Sequence, residues 1–506
     1  MNKAITADRF RRPVKSCIAL LVLFIGLGAY YILYGRVFLD AGFYLNAARE
    51  ICAGHMPYRD FFYVQGPVYP YIYGPILNVF GFSVLNARIL SLIFGLSALV
   101  LAGMTAFRSG GRMGALIALA ALATVPSHAY YFSSVKLYSL SAFFLTAAFY
   151  ILSSRKSLVL RHTFGLILAL LAAAVRLTLA PAVLVVVVYI VYESFVLRRI
   201  FPWAAILTTS IIALGLALPF LIADAEAVIY YLIGIHTSAE EGVYFFSFAK
   251  QLKVLIKIAL LYPIVTLGIL FIIIKLFDRN HRKSLKRLDL AMIFSVLAVT
   301  TAHLTANWFS VGYQSVVMPL TAALVGGLSG RWITEKRFMK SGVVIGIGLI
   351  AVSCFYSWRE PVWSGESVPA WLDNVAREIE SRTEPGSSVA ACSSVFALQA
   401  NRPITAGFGG APFTYAPHWS DDQCRRFGCL NNRLLIDCMN KKEAGLLLFE
   451  SDSFTVGFPG FYPVDQQLQN DIFKAIDENY QKTLVLPSLG DGSPKLVLYV
   501  PRKDEN

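Results

Sequence analysis

The sequence predicts a polytopic α-helical membrane protein with a soluble C-terminal α/β domain, and three observations carry that expectation. Apolar residues make up 56% of the 506 positions and charged residues only 15%, for a mean hydropathy of +0.59. A water-soluble chain carries about a quarter charged residues. The apolar residues gather before about position 358 into runs of membrane-spanning length. Lys and Arg concentrate in alternate connections between those runs, the pattern of short cytoplasmic loops.

A hydrocarbon core about 30 Å thick takes roughly 17–25 mostly apolar residues per helix. On that measure eleven spans are expected, at 16–34, 84–107, 113–131, 138–152, 163–176, 180–197, 203–222, 254–274, 288–306, 313–330 and 341–358. The stretch 163–197 is divided because Arg176 and Pro181 interrupt it; one long helix plus a re-entrant piece is the competing count. With the N-terminus cytoplasmic, the tail before 16 and the connections 108–112, 155–161, 198–199, 275–287 and 331–340 share one side. Their basic residues outnumber those of the other side by about three to one. A missed span would invert every later loop, so the first outer loop, 35–83, and everything after 358 are expected outside. The first run is longer than a signal-peptide core and no small-x-small cleavage site precedes Asp40, so it is kept as a span.

The formal charge of +14 belongs to residues 1–358, whereas 359–506 is acidic. Anionic lipid headgroups are the natural partner of a basic membrane face, and no basic and aromatic stripe suits nucleic acid. Of seven cysteines, Cys17 and Cys354 fall in spans and Cys52, Cys392, Cys424, Cys429 and Cys438 on the outer side. Cys424 and Cys429 are close enough for a small disulfide loop in an oxidising compartment, unpaired thiols being the alternative. There is no CxxC and no His/Cys zinc spacing; no cofactor is indicated, and a divalent metal stays open without being called for.

The stretch 359–506 changes character. Helix-forming "SVPAWLDNVAREIESR" and the turn "TEPGSS" lead into short apolar runs, "VAAC", "AGLLLFE", "KTLVLP" and "KLVLYVP", separated by polar or helical stretches. That alternation predicts a small α/β domain. It holds no nucleotide cradle or nucleophile elbow, and "GFGG" (407–410) reads as a loop. Acceptor recognition or shielding of a membrane site is its expected role.

The chemistry is expected in the loop 35–83. "DAGFYLNAAREICAG" should form a short helix with Tyr44, Ala47, Ala48 and Ile51 on one side and Asn46, Arg49 and Glu50 on another, stopped at Gly54 and able to lie flat on the interface. Asp40 falls just ahead of its first turn. It can cap the helix, or serve as a carboxylate in a partly desolvated cleft that takes a proton from an incoming hydroxyl. "MPYRDFFYVQGPVYPYIYGPILNVFGFSVLNARIL" (56–90) follows, its aromatics suited to an interface belt and its prolines to an irregular, buried path. Arg59 and Arg88 can bind phosphate bidentately, although Arg59 can instead pair with Asp60 or Glu50. Asp224, Glu226, His236, Glu240 and Glu241 in a later outer loop, and His303, Asn307, Trp308, Tyr313 and Gln314 near the outer ends of two spans, are further polar candidates. His128 and Lys136 border another outer turn.

An Asp after the first span, "YLNAAREICAGHMPYRDF", "GPVYPYIYGPILNVFGFSVLNARIL" and "AAAVRLTLAPAVLV", in that order, resemble the GT-C glycosyltransferases. More narrowly they resemble the bacterial relatives of protein O-mannosyltransferases, glycosyltransferase family 39. The resemblance is strongest over 36–108. It implies an inverting transfer of one sugar from a polyprenyl-phosphate donor to a lipid, glycan or protein acceptor on the outer face of the bacterial inner membrane. It also implies Asp40 as general base. Many relatives have a second acidic residue where this chain has Ala41, and some have Lys-Pro-Pro where it has Gln65, Gly66 and Pro67. The phosphate-binding cation then has to come from Arg59, Arg88 or Arg176, with Tyr44, Gln65, Tyr69, His303 and Tyr313 as candidate substrate contacts. A lipid or glycan transporter and a non-catalytic scaffold are the competing readings.

Overall fold

The computed structural model describes residues 2–38, 40–155, 157–198, 201–235, 248–305, 310–333, 348, 351–357, 362, 365–411, 413–417, 419–450, 466–486 and 495–503. Nine helices open the chain: α1 (Asn2–Tyr34), α2 (Ala41–Cys52), α3 (Val68–Phe80), α4 (Val84–Ala123), α5 (Pro126–Phe132), α6 (Tyr138–Leu152), α7 (Leu158–Val175), α8 (Ala180–Arg198) and α9 (Trp203–Ile229). The later helices of this part include Phe248–Leu261, Pro263–Leu276, Arg287–Thr305 and Met318–Trp332. Among the described residues six helical stretches are long and apolar enough to cross a membrane, and a bent pair makes up to seven. Helices occupy each of the first ten expected spans; the eleventh, 341–358, lies largely outside the described residues.

The breaks have local causes. α4 contains Gly111 at φ 67°, ψ −157°, where the chain folds back so that Gly103 meets Leu119 and Gly114 meets the Ala106 carbonyl. The expected spans 84–107 and 113–131 are thus the two arms of a helical hairpin. Arg176 is extended at φ −142°, ψ 109° and is followed by a short 3₁₀ turn, Leu177–Leu179, so 163–197 is two helices. The expected span 254–274 is bent by 99° between Leu261 and Pro263. Pro263 cannot donate to the Ala259 carbonyl and its ring crowds it. The Thr266 hydroxyl takes over that carbonyl at 2.9 Å, a substitution a low-dielectric setting requires.

Glycines let the hairpin accept its neighbour. A Cβ on Gly326 would stand 2.4 Å from the Gly114 carbonyl oxygen, and one on Gly330 2.5 Å from that of Gly110. Met318–Trp332 therefore packs backbone to backbone against α4, as small residues permit where lipid supplies no hydrophobic drive.

All four apolar runs of the C-terminal stretch become strands of one sheet. β1 (Val389–Ala391), β2 (Leu446–Glu450), β3 (Tyr480–Leu486) and β4 (Leu496–Pro501) lie in the order β1-β2-β4-β3. β1 pairs parallel to β2, the other pairs being antiparallel. Helix Val368–Glu380 starts on the Ser367 cap with Pro at its first turn and buries Trp371, Leu372, Val375 and Ile379.

This α/β region rests on the loop 35–83. Asn46 donates to the Gly409 carbonyl at 3.2 Å and Arg49 to that of Arg402 at 3.2 Å; Gly42 lies so close to Val395 that a Cβ would stand 2.5 Å from its nitrogen. Tyr231 donates to the Phe427 carbonyl at 2.7 Å, and Arg426 pairs with Glu226 at 2.7 Å. Residues Ala41 to Ala48 are consequently all buried. The expectation that α2 lies flat on the membrane interface is corrected: its polar side meets protein, where Asn46 and Arg49 find backbone acceptors. "GFGG" is a loop, and it is this loop that receives Asn46.

Candidate active site

α1 delivers the chain to the mouth of the bundle, and Arg88 fixes where it emerges. The Arg88 guanidinium, 2% exposed, donates to the carbonyls of Ile32 (2.8 Å), Gly35 (2.7 Å) and Arg36 (2.8 Å), with a longer contact to Tyr31 (3.3 Å). Ile32 belongs to the last turn of α1, whose carbonyls lack partners within the helix, and Gly35 and Arg36 follow it. The phosphate role expected of Arg88 is therefore corrected to an anchoring one. Arg88→Met should cost about 1–3 kcal/mol through the acceptors left unpaired, read as a lower Tm in detergent with transfer activity per folded molecule largely kept; unchanged stability with lost activity would restore the ligand role. Arg59 is also engaged elsewhere: half-exposed, it makes a two-pronged contact to Asp60 at 2.7 and 2.8 Å, which holds the Asp60 carboxyl below its usual range.

Asp40 occupies the N-cap position of α2 yet makes no side-chain capping bond. Its Oδ2 instead lies 3.2 Å from Lys136 Nζ, both side chains largely shielded from solvent. Lys136 comes from the turn between α5 and α6, its Nζ also 3.7 Å from the centre of the Phe38 ring. Burial disfavours the Lys136 charge, but Asp40 together with Tyr138 and Tyr313 outweighs that and holds its pKa above the ordinary value. Lys136 is the charged residue that sequence reasoning left without a role. The available signal was its isolation: it is the one Lys, Arg, Asp or Glu between 113 and 152.

The break after α7 aims a second cation at the same place. Arg176, 7% exposed, has its guanidinium carbon 4.1 Å from the Tyr313 ring centre and 5.3 Å from that of Tyr138, faces that attract a cation. Its Nε donates to the Thr178 hydroxyl at 3.0 Å, and Thr178 is 3.1 Å from His303 Nε2. His303 Nδ1 lies 3.2 Å from Gln314 Oε1, while Gln314 Nε2 donates to Thr300 at 2.7 Å. Donors and acceptors along this chain agree only if neutral His303 carries its proton on Nδ1 and accepts from Thr178. His303 and Tyr313 thus orient Arg176. The two terminal guanidinium nitrogens have no hydrogen-bond partner among the described residues.

Tyr44 and Tyr69 complete one wall, their rings 5.3 Å apart. The Tyr44 hydroxyl is held protonated by burial and by the nearby Asp40 charge. Gln65 is half-buried, its carbonyl accepting from Tyr58 at 2.6 Å. Next to it, Gly66 presses on the last turn of α7, where a Cβ would stand 2.0 Å from the Ala174 carbonyl oxygen. The loop and the Arg176 break are therefore held in register. His128 is fully buried against Tyr262 at 3.0 Å. His236, Glu240, Glu241, Asn307 and Trp308 lie outside the described residues. All seven cysteines are free, Cys424, Cys429 and Cys438 being buried. No cluster of three or more His, Cys, Asp or Glu suited to a metal occurs among the described residues.

Among the described residues, the loop 35–83 brings an acidic residue close to cations at one end of a helical bundle, against an α/β region. No family model and no curated protein sequence matches the chain, but solved structures do. The chain is similar to ArnT from Cupriavidus metallidurans bound to undecaprenyl phosphate, at 12% identity and TM-score 0.63 over 96% of this chain and 97% of that one. The apo state of that protein gives 13% and 0.62 over 95% and 97%. The archaeal oligosaccharyltransferase AglB from Archaeoglobus fulgidus, in complex with an inhibitory peptide and a dolichol-phosphate, gives 10% and 0.51 over 98% of this chain and 75% of that one. At these identities the likeness is one of fold.

Proposed function

We propose that this protein is a membrane glycosyltransferase that moves a sugar, with inversion, from a polyprenyl-phosphate donor to an acceptor hydroxyl on the outer face of a bacterial inner membrane. Residues 1–358 then form the catalytic membrane domain, and 359–506 an outer domain that covers the first loop. The observation that carries the reading is a carboxylate, Asp40, beside one shielded cation, Lys136, with Arg176 among the aromatic rings that share its surroundings.

The chemistry needs three things from the protein. Asp40 takes the proton as the acceptor oxygen attacks the anomeric carbon. The bond from that carbon to the phosphate oxygen breaks, and its electron pair leaves with the lipid phosphate. Lys136 and Arg176 stabilise that charge in a partly dry site, where preorganised cations act strongly. In the resting protein Lys136 pairs with Asp40; a bound donor phosphate competes for Lys136 and leaves the carboxylate free to face the acceptor hydroxyl. Tyr44, Gln65 and Tyr69 line the acceptor side, and Tyr313 and His303 hold Arg176. The donor already carries its leaving group at the membrane surface, so no nucleotide cradle is required.

Purified protein reconstituted in lipid should bind a polyprenyl phosphate and, given its labelled phosphosugar and a membrane extract, transfer the label to an acceptor. Absence of polyprenyl-phosphate binding would defeat the reading. Binding without transfer, coupled to movement of the lipid between leaflets, would favour a transporter.

A further inference from the structure

A second cluster of charge lies at the other end of the bundle. Arg88 marks the Asp40 end, and Arg108 stands twenty residues further along the same helical arm, about 30 Å away at 1.5 Å per residue. There a cavity of about 470 Å³ opens between the ends of α4, α6, α7 and α8 and the start of the helix Arg287–Thr305, lined by Arg108, Arg161, Glu193, Lys286, Arg287 and Asp289 together with apolar side chains.

The balance of charge in it is uneven. Glu193 is already matched, by Arg161 at 2.7 Å and His162 at 2.9 Å. Asp289, buried, is matched by Arg331 at 2.6 Å. Arg108, Lys286 and Arg287 are left over. Arg108 is held in place by the Tyr150 carbonyl (2.6 Å) and the Ser153 hydroxyl (2.9 Å), using one nitrogen of its fork. Lys286 and Arg287 are exposed, and the Lys286 ammonium has no protein partner among the described residues. Leu288 supplies accessible apolar surface to the same cavity, over buried Leu152 and Met292. Surplus positive charge, an apolar wall and a position where helices meet their polar connections suit a phosphate group carried on a lipid.

We propose that this cavity binds the phosphodiester headgroup of an anionic phospholipid from the leaflet at the basic end of the bundle. Arg108, Lys286 and Arg287 contact the phosphate, and Leu288 contacts the first methylenes of the acyl chains. The site is separate from the Asp40 cluster and does not depend on the function proposed for it.

Native mass spectrometry of the full-length protein, titrated with phosphatidylglycerol, phosphatidylcholine or inorganic phosphate, tests the assignment. Phosphatidylglycerol should bind in preference to phosphatidylcholine. The double variant Lys286→Gln and Arg287→Gln should weaken it about thirtyfold, at roughly 1 kcal/mol for each cation near the headgroup. Arg279→Gln with Arg282→Gln, which removes the same charge from outside the cavity, should leave binding unchanged. Equal binding of the two lipids, equal losses in the two double variants, or displacement of the lipid by millimolar inorganic phosphate would each overturn the proposal, the last by identifying a free-anion site. Lys286 and Arg287 are surface residues, so loss of fold does not confound the comparison, and the wild-type lipid preference decides independently of any variant.

Discussion

Asp40→Asn should abolish sugar transfer while leaving a folded membrane protein. The substitution keeps the side chain's size and its place at the first turn of α2, and since Asp40 makes no capping bond the helix loses nothing at its N-terminus. What disappears is the proton acceptor. Positioned general bases contribute about 10²–10⁴-fold, so turnover should fall by at least that lower figure, with donor binding retained or strengthened because Lys136 is released toward the phosphate. The variant also leaves a shielded ammonium without its carboxylate, so a lower Tm is expected alongside normal elution from gel filtration. Transfer within a few-fold of wild type by a stably folded variant would remove Asp40 from the chemistry.

Lys136→Met should be nearly as damaging, by a different route. If Lys136 serves the departing phosphate, its removal costs transition-state stabilisation of the kind for which single donors are worth about 10²–10³-fold, and donor affinity should weaken as well. Lys136→Arg should rescue only part of both, because it restores the charge but on a larger, planar head that the space shaped for a compact ammonium does not fit equally well. A merely structural partner of Asp40 would give a lower Tm with turnover per folded molecule intact. The pH dependence has a definite sign. The folded-state pKa of Lys136 is raised above its ordinary 10.5, so the ion pair's contribution to stability is fully present below that value and is lost as pH rises through the higher folded-state pKa. Wild type should therefore show an alkaline drop in Tm that Lys136→Met lacks.

Part of the site was legible because particular residues were out of place. An acidic residue just beyond an apolar run, and an arginine interrupting the 163–197 stretch, each need a partner or a purpose at a membrane boundary, and both Asp40 and Arg176 are in the cluster. His303 and Tyr313 were legible for the same reason, as polar groups at the ends of spans. Arg88 drew attention on identical grounds and proved to hold the end of α1 instead. Nothing local distinguishes an arginine facing a ligand from one facing four backbone carbonyls. Lys136 was visible but unassigned, since its meaning rests on a contact across nearly a hundred positions of sequence.

The sequence by itself determined the helical membrane class, the break at Arg176, the apolar runs that become the four strands of the C-terminal sheet and the nomination of Asp40. These follow from composition, periodicity and backbone chemistry, which act over a few residues. Only the tertiary structure decided that Asp40 faces Lys136 and not its own helix, that α2 is covered by the C-terminal region, and that Arg88 is an anchor. Each of those is a choice among partners of comparable local merit, and the choice is made by which segments packing brings within hydrogen-bonding distance.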